Sequence, residues 1–102
     1  MEIVSITYES ELNVDDIESL FKERSDNFRE MEGLIQKYYL HDEESGRVGG
    51  IYVFDSKESR DALFESDIHS SLRDAYDVRD IDIEKFHVLF SLYYTIVASP
   101  SA

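Results

Sequence analysis

The chain has 102 residues, with 42% hydrophobic residues and thirteen Phe and Tyr, so it has the length and apolar content of one packed domain. Its 23 acidic and 10 basic residues leave a formal charge of −13, which repels nucleic acid and anionic membranes. With no cysteine, disulfides, thiolate metal sites and iron–sulfur clusters are excluded.

No apolar run approaches membrane-spanning length, and no basic, apolar leader pattern opens the chain. A soluble, cytoplasmic protein is expected. The acidic coat serves solubility; with only four Lys among the basic residues, it also suits a high-salt cytoplasm.

In chain order, Glu2 to Tyr8 alternates as a strand, with Val4, Ile6 and Tyr8 on one face. Asn13 is an N-cap for a helix from about Val14 to Met31, with Asp15, Asp16 and Glu18 at its start, where the helix dipole favours anions. Ile17, Leu20, Phe21, Phe28 and Met31 form its apolar stripe, and Gly33 ends the pattern. Gly33 to His41 and Val48 to Phe54 then read as two strands joined by the polar turn Asp42 to Arg47.

A second helix follows Ser56 and breaks at Ser66-Asp67, and a further turn or short helix spans Ile68 to Tyr76, with Leu72 and Tyr76 facing inward. Asp77 to Asp80 reads as a polar connector. The last strand is expected from about Ile83 to Ile96, completing a single domain over 1–96 with a frayed tail over 97–102.

The order βαββαβ is the split βαβ, ferredoxin-like arrangement: an α+β fold with a four-stranded antiparallel sheet and both helices on one face. In the last strand Phe86, Val88, Phe90 and Leu92 alternate with His87, Leu89, Ser91 and Tyr93, so both of its faces carry apolar groups. Such a strand is normally covered on both sides. The helices cover only one, so a second copy of the sheet is expected on the other, burying about 1,500 Å².

Three segments carry a family resemblance. They are Gly33-Leu34-Ile35-Gln36-Lys37-Tyr38-Tyr39, the turn Asp42-Glu43-Glu44-Ser45-Gly46, and Gly49-Gly50-Ile51-Tyr52-Val53-Phe54-Asp55-Ser56. Together they resemble the small monooxygenase-like proteins of the dimeric α+β barrel superfamily, which includes the antibiotic-biosynthesis monooxygenases. The close match runs from Gly33 to about Phe64, and the remainder agrees in element order. The resemblance implies a homodimer in which two sheets close a barrel, with a pocket between each sheet and its own helices. It also implies oxidation of an aromatic or polyketide-like molecule by oxygen, without metal, flavin or other cofactor. Haem degradation, which relatives carry out with a Trp, does not carry over to a chain that has none.

Read from the residues themselves, Lys37, Tyr39 and His41 share one strand face, and Tyr52 on the neighbouring strand is within range. A lysine beside phenols can bind or deprotonate an acidic aromatic molecule; it can equally cover apolar surface or pair with an acid. Gly49 and Gly50 admit either a ligand or a close backbone neighbour. His41, His69 and His87 lie 28 and 18 residues apart on different elements, without metal-ligand spacing. The candidate bases are His69, His87 and Lys37, and the candidate substrate-binding residues are Tyr39, Tyr52, Phe54, Tyr76 and Gly50. A non-catalytic dimer that binds a small hydrophobic ligand, or that serves only in assembly, is the alternative, because a fold does not determine function.

Overall fold

The computed structural model describes residues 1–93. Its elements are β1 (Glu2–Ser10), α1 (Val14–Arg24), α2 (Asp26–Arg29), β2 (Leu34–His41), β3 (Val48–Phe54), α3 (Lys57–Phe64), α4 (Asp67–Ser70), α5 (Leu72–Tyr76) and β4 (Val78–His87). All strand pairs are antiparallel, in the order β2-β3-β1-β4. This is the expected ferredoxin-like sheet.

Local chemistry starts and stops the helices. The side chains of Asn13, Ser56 and Ser66 accept from the backbone N–H of Asp16, Ser59 and His69, at 2.9, 3.1 and 3.2 Å. Each satisfies a donor that the first helical turn leaves free. Asp77 ends α5 in the left-handed conformation (φ 51°), which Asp tolerates better than most residues.

Register divides the sheet into two faces. Val4, Ile6 and Tyr8 on β1 lie beside Tyr52, Gly50 and Val48 on β3, facing the helices. With Ile17 and Phe21 of α1, Phe28 of α2, Leu63 of α3, and Leu72 and Tyr76 of α5 they form the core. Residues such as Ile3, Tyr38, Ile51 and Phe86 occupy the opposite face, which no element among the described residues covers.

Two expectations are corrected. The single helix expected from Val14 to Met31 is two helices. At Ser25 the side chain and backbone both donate to the Lys22 carbonyl, at 2.8 and 3.3 Å, and the helix restarts after that turn. The last strand begins earlier and ends sooner than the apolar pattern suggests. The polar stretch Val78 to Asp80 is already strand, because β1 extends to Ser10 and offers it backbone partners. β4 stops at His87, opposite Glu2, and Val88 makes one more backbone bond, to Met1 at 3.0 Å. Residues 88–93 are therefore not the doubly apolar strand that was expected. The end of that expected strand and the tail lie outside the described residues.

Two further contacts brace the sheet. Arg47, in the β2–β3 turn, reaches across β1 to Asp80 and Asp82 at 3.1 and 3.2 Å and donates to the Thr7 carbonyl at 3.1 Å. Gly49 lets β1 pass close by, since a Cβ there would sit 2.0 Å from the Ile6 carbonyl oxygen.

Candidate functional site

Between the sheet and the helices lies a small cavity with walls from β1, β2, β3 and all five helices. Ile6, Phe21, Leu63, Ile68 and Leu72 make it apolar; Tyr8, Arg24, Lys37, His69 and Tyr76 make it ionisable. Its volume is ≈ 10 Å³, roughly the room one water needs. Outside it, an open groove of ≈ 250 Å³ is lined by Ser25, Arg29, Leu34, Ile35, Gln36 and Tyr39. Phe28 and Lys37 line both spaces, so they form the partition between them.

Lys37 is the chemical centre of this arrangement. Alternation along β2 turns it toward the helices, opposite Tyr52 of β3. Its Nζ lies 3.4 Å from the ring centroid of Phe28, 4.3 Å from that of Tyr39 and 4.5 Å from that of Tyr52. It forms no ion pair among the described residues. Burial, and secondarily the Arg24 cation, bring its amine down to about 7. The ring faces still favour the ammonium form, so both protonation states are accessible near neutrality. Gly50 makes room for this side chain: a Cβ there would press on Lys37 Cε at 3.2 Å.

The phenols around it remain protonated. Burial raises Tyr8 and Tyr52, and also raises Tyr39 and Tyr76. The Arg24 guanidinium opposes that rise at Tyr76, over whose ring it lies 5.4 Å from the centroid. Burial, then the nearby Arg73 charge, lowers His69, which stands edge-on to Phe64 at 4.9 Å.

Of the residues singled out from sequence, Lys37, Gly50, Tyr52, His69 and Tyr76 line the cavity and Tyr39 lines the groove. Two do not join them. Phe54 lies in the core, stacked on the far side of Tyr52 at 6.2 Å. His87 sits at the end of β4, where its Nδ1 is 2.7 Å from Glu2, a carboxylate that also meets Arg60 at 3.4 Å. His41 is exposed at the far end of β2. Arg24, Phe28 and Tyr8 were missed. The spacing Ile17, Phe21, Arg24, Phe28 held the clue, because it places an arginine on the apolar stripe of the helix. Among the described residues no group of three or more His, Cys, Asp or Glu is placed to hold a metal ion.

The family model described as "Putative mono-oxygenase ydhR" matches residues 3–97. The chain belongs to the ydhR family. Solved structures of the same fold include a "putative antibiotic biosynthesis monooxygenase" from Deinococcus radiodurans, at TM-score 0.74 and 13% identity, covering 91% of this chain and 97% of that one. NE2512, a protein of unknown function from Nitrosomonas europaea, also reaches 0.74 at 13% identity, with 99% and 95% covered. SnoaB, a cofactor-independent oxygenase from Streptomyces nogalater, reaches 0.70 at 13% identity, with 89% and 96% covered. At these identities the likeness establishes the fold. No curated protein matches the chain. The ferredoxin-like fold of the single chain and the family expected from the sequence are thus both found.

Proposed function

We propose that this member of the ydhR family is a cofactor-independent monooxygenase-like protein acting on a small aromatic or polyketide-like molecule. The observation that carries the reading is Lys37: an amine near neutral pKa, without an acidic partner among the described residues, set among three aromatic rings at the partition between groove and cavity. The ring of the substrate lies in the groove against Phe28 and Tyr39. Neutral Lys37 takes a proton from it, and the carbanion left behind is the electron source for oxygen. In an anthrone-like substrate a methylene becomes a carbonyl, consuming one O₂ and releasing one water. The apolar, nearly filled cavity behind Lys37 keeps bulk water from that side and leaves the anion facing the Lys37 ammonium and Arg24. His69 is the second candidate base; Tyr52, Tyr76 and Gly50 shape the inner wall.

Oxygen uptake with a panel of anthrone-like and hydroquinone substrates tests this. Native protein is expected to consume at least one faster than buffer does. Lys37→Met should reduce that rate about 100-fold, at the lower end of what a positioned base contributes, and His69→Ala by less. Failure of every substrate to outpace buffer overturns the oxygenase reading.

One observation favours the second reading, a non-catalytic module for a small ligand. The inner cavity is nearly filled at ≈ 10 Å³, so of the two spaces that Lys37 lines the open groove is the one with room for a ring-sized molecule. In either reading the uncovered sheet face pairs with a second copy of the chain.

A further inference from the structure

The charges lining the two spaces invert those of the molecule. The chain carries 23 acidic residues against 10 basic, more than two acids for every base. Yet no Asp or Glu lines either the cavity or the groove. Arg24, Lys37 and His69 line the first, and Lys37 and Arg29 line the second.

Of these, Arg29 has a protein carboxylate, Asp26 at 2.8 Å. Arg24 has none. It donates to the Ile68 carbonyl at 3.3 Å and to Ser71 Oγ at 3.0 Å, while its buried Nε has no hydrogen-bond partner among the described residues. Buried donors are normally satisfied, and a guanidinium is permanently charged. An unmet buried donor on a cation is a seat for an acceptor. Beside it stands Lys37, a second cation when protonated, likewise without an acid among the described residues. Two adjacent basic groups without an acid repel each other, and an anion between them relieves that repulsion. The surrounding rings of Phe28, Tyr39 and Tyr52 offer flat apolar surface, which suits an arene better than an inorganic ion.

We propose that the site takes a small aromatic oxyanion, an aryl carboxylate or a phenolate, with its ring against Phe28 and Tyr39 and its charged oxygen between Lys37 and Arg24. This names a substrate class for the oxygenase reading above and rests on it: a phenol gives its proton to neutral Lys37, a phenolate draws that proton from the buffer, and both routes leave the same ammonium and oxyanion, while for a carboxylate His69 is the base left for the ring carbon.

Binding of such a ligand carries a proton signature. The charged and titratable groups facing Lys37 are Arg24 of α1, Arg29 of α2, Tyr8 of β1, Tyr39 of β2, Tyr52 of β3, His69 of α4 and Tyr76 of α5. The arginines keep their charge, the phenols are raised and His69 is lowered, so Lys37 alone among them changes state just above neutrality. An anion beside Nζ favours the ammonium. At pH 8, where the free amine is mostly neutral, binding therefore draws up to about one proton from the buffer. Affinity falls up to about tenfold per pH unit above 7, until the raised value of the complex is reached.

Titration calorimetry at pH 8, in two buffers of different ionisation enthalpy, tests the proposal. The probes are 2-naphthoate as the carboxylate, 4-nitrophenolate as the phenolate, neutral 2-naphthamide and cationic 2-naphthylmethylamine. At least one anion should bind about tenfold or more tightly than the amide, with a heat that depends on the buffer; which anion wins identifies the oxyanion. The cation should not bind. Lys37→Met should weaken the anion about tenfold and abolish the buffer dependence. Arg24→Lys, which keeps the charge but loses Nε, should weaken it without abolishing that dependence. An amide that binds as well as both anions, no anion binding at millimolar concentration, or unchanged anion binding by Lys37→Met overturns the proposal. Anion binding without oxygen uptake on any substrate retires the oxygenase reading and keeps this one. Uptake with a neutral substrate that no anion inhibits does the reverse.

Discussion

At the scale of single residues, Lys37 sets a conflict between folding and use. Its amine titrates at about 7 in the folded protein against 10.5 for an ordinary lysine. Between those values the unfolded chain holds the extra proton, so Lys37 makes stability rise with pH across that window. Below pH 7 its cost is fully present; above about 10.5 it has gone. Lys37→Met keeps the stem in the space Gly50 leaves and removes the amine. The variant should melt several degrees higher than the native protein at pH 6, with the gain shrinking steadily toward pH 10 in thermal scans. An equal gain at both ends would remove the reason for treating the amine as strained by its surroundings. Alternation along β2 made Lys37 and Tyr39 legible from sequence, and the short hairpin made Tyr52 their neighbour. Arg24 was not legible in the same way, because an arginine in a charged helix reads as a solvated one unless its place on the stripe is counted.

At the scale of elements, patterns that depend on side chains were legible and patterns that depend on partners were not. The hairpin and the helix starts follow from local signals: the polar turn after His41, and the oxygens of Asn13, Ser56 and Ser66. The bounds of β4 do not, since its charged beginning is strand only because β1 lies beside it, and it ends where β1 offers no further pairing. That end is pinned by Glu2, a buried carboxylate between His87 and Arg60. The hydrogen bond from His87 is the main reason that Glu2 stays ionised below the usual glutamate range. The contribution is therefore present at neutral pH and is lost in acid, once pH falls below about 4.5 and through the folded value. Glu2→Gln should speed amide exchange several-fold at Phe86 to Val88 at pH 7 while leaving β2 and β3 protected. Unchanged exchange there would mean that the ladder alone holds the strand end.

At the scale of the whole molecule, no helix among the described residues covers the second face of the sheet. Ile3, Tyr38, Ile51 and Phe86 share the open face, with Tyr38 and Phe86 48% and 52% exposed. Beyond β4, Leu89, Phe90, Leu92 and Tyr93 add large exposed side chains. Apolar patches of this extent are uncommon on monomers, and a second sheet across a two-fold axis is the simplest partner. The doubly apolar last strand that first suggested a dimer is not formed over residues 88–93, yet the other strands supply an apolar face independently. Sedimentation at micromolar concentration should give about twice the monomer mass, and Phe86→Glu should reduce it toward one; a native protein that sediments as a monomer removes the dimer. The knot at Arg47 bears on how such a body meets its solvent. One guanidinium serves Glu9, Asp80 and Asp82, while across the rest of the surface minus signs far outnumber plus. Dissolved ions loosen that single tether slightly but hush the quarrel among all the other anions, so this protein should fare better in brine than in distilled water.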